Sequence, residues 1–120
     1  MYLKPMYSKE LLKGTLTTII LRLLATHGKM YGYEITQKVK ILSGEKILIK
    51  EGSLYPALHK LKDEGLVKTE TEMVGNRMRK YYSLTEQGGV STKEKVDELF
   101  QFIDTLKVIL NVNPKLTWVL

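Results

Sequence analysis

The chain has 120 residues, with 19 Lys+Arg against 13 Asp+Glu and a formal charge of +6, which is the size of one domain with a single modest core. It contains no cysteine, so disulfide scaffolds, zinc ribbons and thiol catalysis are excluded and a reducing, cytoplasmic setting is expected. Residues 1–62 hold 11 basic and 4 acidic side chains while residues 63–120 hold 8 and 9, and a positive field confined to one half favours a polyanionic partner.

From Lys9 to Thr26, Leu12, Leu16, Ile19, Ile20, Leu23 and Leu24 recur at helical spacing. This predicts one helix that starts at Ser8, tolerates Gly14 and ends at Gly28, with His27 in its last turn as a structural residue. Its apolar run "TLTTIILRLLA" holds Arg22 and is too short to span a bilayer, and no cleavable signal pattern opens the sequence, so no membrane association is expected. A second helix is expected over "MYGYEITQKVKIL", with Ile35, Val39 and Leu42 buried and Ser43-Gly44 as its break. The β-branched "KILIK" at 46–50 reads as a short strand.

"EGSLYPALHKLKDEGL", Glu51 to Leu66, sets Leu54, Leu58 and Leu61 on one stripe and Tyr55, His59 and Lys62 outside it. With Ser53 as N-cap, Pro56 falls at the third helical position, where a missing N–H costs little, and Gly65 closes the helix. "LVKTETEM" then alternates and "MRKYYSL" mirrors it across Gly75-Asn76, predicting a hairpin tipped by Asn76 and Arg77 with Arg79 and Lys80 behind. The same alternation sets Tyr82 and Leu84 inward with Val67, and Tyr81 outward with Arg79.

Thr85 caps a last helix in which Val96, Leu99, Ile103, Leu106 and Leu110 form a heptad seam. Phe100, Phe102 and Ile109 widen its apolar surface beyond what one neighbour covers, which predicts a homodimer joined by this helix. "QGGVS" at 87–91 reads as a loop, and Pro114 ends the helix before a tail that carries Trp118.

The order helix, helix, strand, helix, hairpin, long helix is that of a winged helix-turn-helix: mainly α with a small β-hairpin, and a long C-terminal dimerisation helix. In that fold the third helix enters a DNA major groove and the hairpin lies along the backbone or minor groove. We expect a DNA-binding domain over 8–84, a dimerisation helix over 85–112 and a tail over 113–120.

Three segments, "YGYEI" at 31–35, "EGSLYPALHKLKDEGLV" at 51–67 and "RKYYSLTEQG" at 79–88, resemble in combination the PadR family of transcriptional regulators, with the single C-terminal helix of its smaller subclass. The resemblance implies a repressor that binds double-stranded DNA, a homodimer joined by the last helix with help from Leu12 and Leu16 of the first, an inverted-repeat operator, and release by a small aromatic effector. It further implies that the N-terminus of the second helix, with Tyr31 and Tyr33, faces a phosphate; the alternative is that one tyrosine is half core. Ser53 is a cap, a phosphate donor, or both; Tyr55 packs beside the hairpin or reaches DNA; Lys50 and Lys62 are phosphate contacts or solvated. Arg77, Arg79, Lys80 and Asn76 form the basic hairpin contact expected to position the protein without reading sequence. For an effector, Phe100, Phe102 and Trp118 are the aromatic candidates, although a stacking tryptophan inside the long helix is absent. The tail either packs on the dimer or lines such a site.

Two distant histidines, no cysteine, no phosphate loop and no nucleophile elbow leave no basis for catalysis, a metal or a cofactor. The competing reading is a winged helix used for protein contact without specific DNA binding, which the basic first half and arginine-tipped hairpin disfavour.

Overall fold

The computed structural model describes residues 7–111. Its elements are α1 (Lys9–Lys13), α2 (Leu16–His27), β1 (Met30–Tyr31), α3 (Gly32–Leu42), α4 (Glu51–Asp63), β2 (Val67–Val74), β3 (Arg77–Leu84) and α5 (Glu86–Leu110). Ile20 and Leu21 of α2, Ile35 of α3 and Leu54, Leu58 and Leu61 of α4 are fully buried. Met30, Val67 and Tyr82 close this three-helix core from the sheet side.

The expected first helix is two. Gly14 has no side chain to pack, and the Thr15 hydroxyl donates to the Leu12 carbonyl at 3.1 Å, taking an acceptor that a continuous helix would use. Ser8 occupies the N-cap position of α1 but makes no side-chain cap bond. The second helix starts at Gly32, later than expected, because Met30 and Tyr31 instead pair with Tyr82 and Tyr81 as an edge strand. The Tyr31 N–H donates to the Glu34 carboxylate at 3.2 Å and so fixes the start of α3. Leu42, expected inside, is 65% exposed, as is its neighbour Ile41 at 70%, so the buried stripe of α3 ends at Val39.

Residues 46–50 form no strand. Ser43 Oγ accepts the Ile47 N–H at 3.0 Å, so local side-chain bonding replaces a ladder, while Ile49 still reaches the core. α4 begins at Glu51 with Lys50 as N-cap, so Ser53 is its third residue and Pro56 its sixth. Pro56 therefore leaves the Gly52 carbonyl without its i+4 donor, a cost that the first-turn placement would have avoided. The helix closes as expected: Gly65 has φ +74°, its N–H meets the Lys62 carbonyl, and the Leu66 N–H meets that of Leu61, the paired bonds of a left-handed glycine stop.

The sheet runs β1-β3-β2, all antiparallel, with Val67 opposite Leu84 and Val74 opposite Arg77. Gly75 takes φ +61° in the two-residue turn between them, as that hairpin geometry requires. Thr85 Oγ1 accepts the Gly88 N–H at 3.0 Å and caps α5. Residues 87–91 are thus helical rather than a loop, and Gly88 lies against the Leu66 carbonyl with no room for a Cβ. Thr92, one turn on, is buried and donates to the Gly88 carbonyl at 2.7 Å. Beyond Thr92 no residue of α5 is fully buried within the described chain, and Val96, Leu99 and Leu106 are half-buried.

Candidate nucleic-acid interface

The helical repeat sets Tyr55, His59 and Lys62 on one flank of α4, and all three are exposed. His59 spends part of its capacity locally, with Nε2 3.3 Å from the Asp63 carboxylate one turn on. Ser53 lies on the opposite flank with Lys60, beside the first turn of α1, and Lys50 stands at the helix start. A groove of about 720 Å³ runs there, floored by Leu11, Leu12, Ile47 and Leu48 and rimmed by Lys9, Lys46 and Lys50. The expected α4 set is thus divided between two sides of the helix.

Tyr55 turns toward α3. Its ring covers Gly32, where an added Cβ would come within 2.5 Å of the hydroxyl, so the glycine between Tyr31 and Tyr33 is what lets α4 approach. Tyr55 also lies close enough to Tyr82 to add to the effect of burial, and both push the Tyr82 phenol above its ordinary pKa. It nevertheless stays 45% exposed. Packing and outward presentation therefore coexist in this residue.

The hairpin presents its basic residues on two faces. Arg77 and Arg79 share the face of Glu70, Glu72 and Tyr81, whereas Lys80 lies opposite Thr71 on the other. Arg79 lays its guanidinium 4.1 Å from the centre of the Tyr31 ring, a cation–π contact. Tyr31 in turn meets Tyr81 edge-on at 5.7 Å and stacks with Tyr33 at 6.5 Å. A hydrogen bond with Tyr81 raises the Arg79 pKa further, so this cation is permanent. Asn76 and Arg77 are exposed at the tip.

Tyr31, Tyr33, Tyr55 and Arg79 are therefore brought together at the N-terminus of α3. Two further contributors were not among the expected site residues. Lys29 lies 5.2 Å from the Tyr81 ring centre and pairs with Glu70 at 3.2 Å and with Glu72, and Tyr81, expected on the Arg79 face as a structural residue, joins the cluster. Strand alternation signals Tyr81 and Arg79 on one face, but the pairing of Met30-Tyr31 with β3, which delivers Lys29, has no local signature.

Of the apolar set expected to dimerise, Leu16 belongs to the protomer core and Leu12 is half-buried. Val96, Leu99 and Leu106 are half-buried, while Phe100, Ile103 and Leu110 are exposed. Phe100 and Phe102, the effector candidates, stand 62% and 56% exposed and line neither groove beside α1. Trp118 lies outside the described residues. Among the described residues no helix is long and apolar enough to cross a membrane, and no group of His, Asp or Glu side chains could hold a metal ion.

A three-helix core, a hairpin wing and a long last helix define a winged helix-turn-helix protein. Residues 20–94, more than half the chain, match the transcriptional regulator PadR-like family, and the chain belongs to that family, whose members are transcriptional regulators rather than enzymes. A transcriptional regulator from Clostridium thermocellum superposes with a TM-score of 0.76 at 32% identity, over 84% of this chain and 95% of that one. The structure of Bacillus subtilis PadR in complex with operator DNA matches with a TM-score of 0.61 at 34% identity, over 68% of this chain and 46% of that one. The negative transcriptional regulator PadR of Bacillus subtilis is 36% identical over 66 residues, 54% of this chain and 36% of its own length.

Proposed function

We propose that this protein is a repressor that binds an inverted-repeat operator as a homodimer and is released by a small aromatic effector. The observation that carries it is the joining, at the N-terminus of α3, of Tyr55 from α4 and Arg79 from the wing, in a chain whose relative has been seen in complex with operator DNA. Residues 8–84 are the DNA-binding unit, 85–112 the dimerisation helix and 113–120 a tail. Lys50, Ser53, Lys62, Asn76, Arg77, Arg79 and Lys80 contact backbone phosphates together with Tyr31 and Tyr33. Tyr55 and His59 reach base edges. The protein acts in the cytoplasm.

The test is binding to the DNA upstream of its own gene and to random duplex over a salt series. Arg77→Ala should weaken both by a similar factor and, in a dimer, reduce the salt slope by up to about two, near 0.9 per lost phosphate contact. Tyr55→Ala should weaken operator more than random DNA, since a residue on the groove-facing side of α4 can meet base edges or thymine methyls. Absence of binding at low salt would transfer support to a protein-contact role.

A further inference from the structure

Lys29 follows the Gly28 turn that ends α2 and stands at the edge of the sheet, next to β1. β1 and β2 lie on opposite sides of β3, so two strand spacings, about 9.6 Å, separate them. The Lys29 and glutamate side chains together bridge that distance: Nζ lies 5.2 Å from the centre of the Tyr81 ring on β3 and pairs with Glu70 and Glu72 reaching from β2. The bond to Glu72 first, and that to Glu70 second, raise its pKa.

The consequence concerns Arg79. It stands directly opposite Glu72 in the β2–β3 register, where a cross-strand ion pair is the ordinary outcome. Instead both glutamates pair with Lys29, and Arg79 is stacked on Tyr31 with no carboxylate within 4 Å among the described residues, Glu34 at the start of α3 acting on it only through space. A single exposed ion pair contributes little stability, so the worth of this strap lies in charge placement: it engages both carboxylates, neutralises one of the wing's two acidic charges, and leaves a guanidinium on a tyrosine ring at the start of α3.

We propose that Lys29 is a positioning residue for DNA binding, which occupies Glu70 and Glu72 so that Arg79 stays available to a phosphate. This rests on the DNA-binding reading above. The experiment measures affinity and salt slope on operator and random duplexes for wild type, Lys29→Ala, Lys29→Arg, Glu70→Gln/Glu72→Gln and the triple variant, with circular dichroism to check folding. Lys29→Ala should bind about tenfold more weakly, a coupling of the size usual within one charge network. The triple variant should recover most of that loss, and Lys29→Arg should bind like wild type. Arg79→Ala should lower the salt slope in wild type but not in the Lys29→Ala background, where Glu72 has already captured the guanidinium. A triple variant as weak as Lys29→Ala would make Lys29 itself the phosphate contact, and a Lys29→Ala protein that binds like wild type would remove it from the site; either overturns the proposal. Wild type that binds neither duplex at low salt overturns the DNA-binding reading as well, whereas the other failures leave that reading intact.

Discussion

Two glycines show how one missing methyl group sets a contact. An added Cβ at Gly32 meets the end of the Tyr55 side chain, which can swing aside, while at Gly88 it meets the Leu66 backbone, which cannot. Gly88→Ala must therefore push α5 off the strand start, at a cost of about 1–3 kcal/mol for overpacking, and thermal unfolding should show a fall in Tm. Gly32→Ala should cost less than Gly88→Ala in the same measurement, yet displace Tyr55 and weaken DNA binding. Tyr82 supplies a pH dependence. Burial holds its folded pKa above the ordinary value of 10.0, so its contribution is fully present below that pH and is lost as pH rises through the folded pKa. Tyr82→Phe should flatten the decline in stability above about pH 10, as read by denaturant unfolding.

Within the elements, local preference and packing disagree most openly in α4. Pro56 lies at the sixth helical residue, where it removes a backbone bond that an alanine would make, a penalty of about 3 kcal/mol in a helix interior. Proline also restricts the unfolded chain by roughly 1 kcal/mol, which offsets part of this. Pro56→Ala should accordingly stabilise the protein, shown by a higher midpoint in urea. The helix survives the proline because Leu54, Leu58 and Leu61 are fully buried on its other side and each contributes on the order of 1.5–3 kcal/mol.

For the whole molecule the decisive feature is α5, a helix of 25 residues, roughly 37 Å long at its usual rise. The protomer fully buries only Gly88 and Thr92 of it, and Phe100, Ile103, Ile109 and Leu110 are exposed. A second copy is the occupant we propose. Replacing Leu99 and Ile103 together with Glu should give monomers in sedimentation velocity, and operator affinity should collapse because each half-site alone is weakly held. An unchanged dimer would exclude α5 from the interface.

By itself the sequence determined the helix registers of α2, α4 and α5, the Gly65 stop, the Thr85 cap, the hairpin and its turn, and the family, because each is written in neighbouring residues through spacing, capping or turn chemistry. It placed Tyr82 inward and Tyr81 with Arg79 on the same grounds. Only the tertiary structure decided that Met30-Tyr31 becomes a strand, that residues 46–50 do not, that α4 begins at Glu51, and that Lys29, Tyr31, Tyr55 and Arg79 meet at one helix start. These depend on partners distant in the chain: two residues become a strand only where β3 offers an edge, and a lysine straps a sheet only once the strand order sets two glutamates within its reach.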